Sequence, residues 1–184
     1  MSLSLLGWAG TTLALGNHAL LSFGRIERGR PYYLVNALGA VLVTLSSLAL
    51  ASWQAVAVNG FWVLASAAGY LGVTIRLTPA VSVRALLAVC LVLALPAGWH
   101  AFFDPAVALR WLGWSGTVLL CGSYLLFAVD RMSQGVFLAC NAVAAFSLVP
   151  VLVLDQNWPV VLLELVWGIL SLIGLVRWRR DRPA

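Results

Sequence analysis

From residue 32 to residue 75 the chain runs for 44 residues without one charged side chain. That is about twice the roughly 20 apolar residues a helix needs to cross a bilayer. The stretch is therefore expected to form a membrane hairpin, turning at Ser52-Trp53-Gln54 with Trp53 at the interface. The rest of the chain has the same character. Of its 184 residues 62% are hydrophobic and 9% charged, with a mean hydropathy of +0.99, whereas soluble domains carry roughly 25% charged residues. The apolar runs are continuous and do not alternate, so they read as helices rather than barrel strands. A chain of 184 residues leaves room for about seven or eight spans and no soluble domain.

Seven spans are expected, at roughly 5–24, 32–51, 54–75, 85–103, 111–129, 134–154 and 158–177. The breaks between them have local causes. Residues 25–31 hold four charges, a glycine and a proline; Thr78-Pro79 and Asp104-Pro105 pair a capping residue with a proline. Residues 155–159 combine turn chemistry with Trp158. The eleven basic residues are all arginine and flank the apolar runs, and seven spans place ten of them on one side and only Arg110 on the other. The positive-inside rule then puts the N-terminus outside and the C-terminus in the cytoplasm. Because the start, Met1-Ser2-Leu3-Ser4-Leu5, lacks the charged region of a signal peptide, it is expected to stay as the first helix.

The membrane part is written twice. Residues 6–25 and 112–131 are identical at nine of twenty positions, beginning with Leu6-Gly7-Trp8 and Leu112-Gly113-Trp114. Farther on, at an offset of 105, Asn36, Trp53, Trp62, Ser66 and Gly69 return as Asn141, Trp158, Trp167, Ser171 and Gly174. Two three-helix units become parallel only if one extra helix joins them, and the run at 85–103 has no counterpart. The fold class expected is thus an all-α integral membrane protein of seven helices arranged three plus one plus three, as in parallel-repeat transporters. Its divisions are a first repeat over 1–76, a linker over 77–106, a second repeat over 107–178 and a basic cytoplasmic tail over 179–184.

Polar residues at matching depths mark the candidate site. Asn59, Trp62, Ser66 and Gly69 are spaced to share one helix face, and Glu164, Trp167, Ser171 and Gly174 repeat it. A carboxyl such as Glu164 inside a membrane helix is costly and usually faces a bundle interior or a pathway. It either binds a solute or proton opposite Asn59 or, protonated, joins two helices. Trp62 and Trp167 suit the walls of a sugar or amine site as well as simple packing. Asn36 and Asn141 open the second helix of each copy, and either line a pocket on the cytoplasmic side or hold helices together.

Other chemistries find no support in the residues. Cys90, Cys121 and Cys140 lie singly within apolar runs and form no metal spacing. His18 faces Tyr124 in the repeat, which speaks against a haem nitrogen ligand. No cofactor, no metal and no catalytic constellation is expected, and five of the six carboxylates fall in loops or the tail. The net charge of +5 belongs to topology and anionic lipid rather than to nucleic acid.

Gly-Trp-x-Gly at 7–10, Asn-Ala-x-Gly-Ala at 36–40, Trp53-Gln54 and Asn59-x-x-Trp62 together resemble a bacterial family of small three-helix membrane proteins, often labelled permeases. The chain resembles a tandem version of it. Both repeats share the pattern and the linker does not; Glu164 and Ala144 stand where the first copy has Asn59 and Gly39. More distantly, the architecture resembles the SWEET and PQ-loop sugar transporters, although no proline occurs in 5–24 or 111–129 to supply their Pro-Gln motif. These resemblances imply a carrier or permease of a small polar solute in the bacterial cytoplasmic membrane. The alternative is a non-catalytic accessory subunit of a larger membrane complex. In both readings the lipid bilayer is the first partner.

Overall fold

The computed structural model describes residues 3–74, 76–78 and 80–181. Within them the chain forms seven helices and no strand: α1 (Leu3–Ser22), α2 (Arg30–Ala49), α3 (Trp53–Leu71), α4 (Val83–His100), α5 (Pro105–Ala128), α6 (Gln134–Leu154) and α7 (Trp158–Arg180). α2, α4, α5, α6 and α7 are each long and apolar enough to cross a membrane, which marks the chain as a membrane protein. α1 and α3 carry polar side chains along their length, among them Thr11, Asn17, Gln54, Asn59 and Ser66, all buried.

Of the two expected cap-and-proline starts, one is found and one is not. α5 begins at Pro105 with Asp104 as its cap, as expected, Asp104 Oδ1 accepting from Val107 N at 3.1 Å, so the helix starts six residues ahead of the expected apolar span. α4 is capped by Ser82, whose Oγ accepts from Ala85 N at 3.2 Å, and not by Thr78. Pro79 and Arg182, also part of these expectations, lie outside the described residues. α7 runs on to Arg180, so Arg177, Arg179 and Arg180 form its last turn, where cations complement the helix dipole.

The turns repeat as the sequence does. Gly24 at φ 66° and Asp130 at φ 59° are left-handed at equivalent positions after α1 and α5, and Ala51 at φ 51° and Gln156 at φ 55° after α2 and α6. A β-carbon is unfavourable in that region, by about 1–2 kcal/mol. Ala51→Gly is therefore expected to raise unfolding stability by about 1 kcal/mol, read as a higher thermal midpoint in detergent.

The helices fall into two compact units, Met1–Ile75 with Asp155–Leu163, and Arg76–Leu154 with Glu164–Ala184. In the first unit α1 crosses α2 at Gly10 and Gly39; a β-carbon on Gly10 would stand 2.6 Å from Gly39 O. In the second unit α5 and α6 use Gly116 in the same way, and a β-carbon there would stand 2.9 Å from Ala144 O. Small residues thus bring both pairs together, as helices in lipid require.

Candidate functional site

In the first unit the opening of α2 is tied to α3 by one bond between side chains. Asn36 Nδ2 donates to Ser66 Oγ at 2.8 Å. Two turns nearer the start of α3, buried Asn59 donates its Nδ2 to Ala55 O of its own helix at 2.9 Å. Trp62 is half-buried, its ring edge-on to Phe61 at 5.6 Å.

In the second unit the same positions build a larger network. Asn141 Nδ2 donates to Phe137 O at 3.0 Å and to Ser123 Oγ at 3.3 Å, while its Oδ1 accepts from Trp167 Nε1 at 3.1 Å. Ser171 Oγ donates to Trp167 O at 2.8 Å. The indole is thus held by the amide of a neighbouring helix. Glu164, on the same helix as Trp167, is 3% exposed, and its Oε2 has no hydrogen-bond partner among the described residues. Buried polar atoms in native proteins are almost always satisfied, so this oxygen is an exception that can still accept from a donor.

The six expected residues are thereby placed. Asn141 and Trp167 meet directly, whereas Asn36 bonds to Ser66. Asn36, Asn59 and Trp62 belong to the first unit, and Asn141, Glu164 and Trp167 to the second. Farther along α2, Ala40 and Ser47 are buried, and Thr44 Oγ1 donates back to Ala40 O at 2.7 Å.

Sequence reasoning missed a second polar cluster, at the α3 end of α2 in the first unit. Thr11, Ser46, Ser47, Ser52, Gln54 and Asn157 are all buried there. Asn157 Nδ2 donates to Ser47 Oγ at 2.9 Å, Ser52 N donates to Ser47 O at 3.0 Å, and Thr11 Oγ1 donates to Pro159 O at 3.1 Å. Ser52 and Asn157 occupy equivalent turns, and turns read as exposed. The one available signal was that Thr11 lies inside the repeated segment, at Thr117 in the second copy.

A single family model matches the chain twice, over residues 3–76 and 109–182. The matches coincide with the two copies and leave α4 outside both. No curated protein and no solved structure matches the chain.

Proposed function

The chain belongs to that family, whose unit it carries twice, and on this premise we propose that it is a carrier for a small polar solute. All seven helices cross the membrane in this reading. α1 and α3 are included because their repeat counterparts α5 and α7 are themselves long and apolar enough to do so. α4, outside the family matches, is the linker that makes two three-helix copies parallel. Ten arginines then face the cytoplasm with the C-terminus, and the N-terminus faces out. The membrane is the bacterial cytoplasmic one.

The observation that carries the proposal is Glu164. Buried polar atoms are as a rule hydrogen-bonded, whereas Oε2 here is buried without a hydrogen-bond partner among the described residues, which leaves it an acceptor for a solute. Trp167, one turn away and held by Asn141, provides an apolar wall beside it. Within the first copy Asn59 and Trp62 are the amide and aromatic counterparts of this pair, and Asn36 and Asn141 each bond to the third helix of their own copy.

The test is transport by purified protein in liposomes, scored on a panel of labelled monosaccharides and small amines. Glu164→Gln keeps the shape but replaces the ionisable carboxyl with an amide. It is expected to lower the flux of the transported member at least tenfold with an unchanged thermal midpoint. Wild-type flux in Glu164→Gln removes Glu164 from the site, and no flux of any member in the wild-type protein removes the carrier reading.

A further inference from the structure

The two copies differ in what covers their first helix. On α5, Ser115, Leu119, Gly122 and Leu126 are spaced four, three and four apart and so share one face. α4 packs on α5. Leu86 of α4 fills the notch at Gly122, with its Cδ1 2.5 Å from where a β-carbon would stand. Ser115 Oγ donates to Cys90 O of α4 at 2.9 Å. Arg131 Nη1 donates to Thr78 O, at 2.7 Å, and so ties the segment before α4 to the loop after α5.

The same face of α1 is Ala9, Leu13, Gly16 and Leu20, and no described helix covers it as α4 covers α5. Leu20 is 47% exposed where Leu126 is 1% exposed. A β-carbon on Gly16 would meet nothing within 4 Å. A groove of about 610 Å³ lies there, floored by Thr12, Leu13, Gly16, Asn17 and Leu20 and bounded on the α2 side by Tyr32 and Val35. Its loop end carries Glu27. Arg25, the counterpart of Arg131, is exposed.

We infer that this groove receives an apolar helix, and that the helix is α4 of a second copy of the chain. Two observations select that occupant. The helix seated on the equivalent face is α4, and apart from the side it turns to α5 it is uncovered, exposing Leu87, Leu91, Val92 and Leu95. Charge also matches. Seated on α1 as α4 is seated on α5, the incoming helix brings its N-terminal Arg84, exposed in its own chain, to the loop end where Glu27 lies. Opposite charges meeting at the edge of such a contact fix partner and register. Each copy gives α4 and receives one, so the contact pairs unlike surfaces.

The experiment places a photo-crosslinking amino acid at Leu20 in the full chain, in membranes, and identifies the crosslinked peptide by mass spectrometry. The expected product is a dimer-sized band joining position 20 to residues of α4. Gly16→Leu, which fills the groove at a place with open space, is expected to reduce that band at least tenfold while leaving the thermal midpoint of the purified protein unchanged. Glu27→Arg is expected to weaken it, and Glu27→Arg with Arg84→Glu to restore it. A lipid adduct as the main product, a crosslink to a different protein, or a band indifferent to Gly16→Leu overturns the inference. A charge-swapped double variant no better than Glu27→Arg alone overturns the register.

Discussion

Gly10→Ala is expected to lower unfolding stability by about 3 kcal/mol, the upper end for overpacking a close contact, although it adds a single methyl group. That methyl would stand 2.6 Å from Gly39 O, 2.8 Å from Val43 Cγ2 and 2.9 Å from Val43 N. Two of these are backbone atoms, so no rotamer change relieves the clash and α1 must move off α2. The matching crossing at Gly116 is looser, with Ala144 O at 2.9 Å and Ser147 Cβ at 3.1 Å, and Gly116→Ala should cost less. Gly60→Ala is the control. It is helical and its β-carbon would meet nothing within 4 Å, so the better helix propensity of alanine should stabilise by up to about 1 kcal/mol. Thermal unfolding in detergent, followed by tryptophan fluorescence, reads all three. A Gly10→Ala protein as stable as wild type would mean that α1 and α2 do not cross at these glycines.

Asn141→Leu is expected to destabilise by about 2 kcal/mol and Asn36→Leu by about 1 kcal/mol, because interhelical hydrogen bonds in lipid contribute roughly 0.6–1.7 kcal/mol each. The two asparagines occupy the same place in their copies, but Asn36 bonds across to Ser66, whereas Asn141 joins both Ser123 and Trp167. Removing Asn141 also takes the acceptor from Trp167 Nε1, so the emission of that indole should shift when Asn141 is replaced and not when Asn36 is. Equal destabilisation by the two substitutions would show that the larger network adds nothing to the second copy.

Much of the helix order was legible because it depends on local signals. The duplication, the turn at Ser52 and the cap at Asp104 all leave marks in the sequence, and the left-handed pairs Gly24/Asp130 and Ala51/Gln156 show that the backbone follows the repeat through its turns. Where α4 starts was less legible, since Thr78 and Ser82 are both capping residues and only packing selects between them. Of the candidate site, the burial of Glu164 and of Asn141 could be read from spacing. The bond from Trp167 to Asn141 could not, because it depends on how α6 and α7 rotate against each other. The buried cluster of Ser47, Ser52, Gln54 and Asn157 was hidden for a related reason. Two turns, each polar and ordinary by itself, become interior only when residues more than 100 apart in the chain are packed together.

That packing has a consequence for the order of synthesis. The first compact unit includes Asp155–Leu163, and the bonds that close it, Thr11 to Pro159 and Asn157 to Ser47, span 148 and 110 residues. At roughly 5–20 residues per second of translation, Thr11 waits about 7–30 s for its acceptor to be made. During that interval Thr11, midway along α1, and Ser47, near the end of α2, lack the bonds that they make in the finished unit. A ribosome stalled before residue 155 would leave a half-built nascent chain with its polar groups open to lipid, to quality-control proteases and to insertion chaperones. The earliest helices of this protein are thus completed by its last.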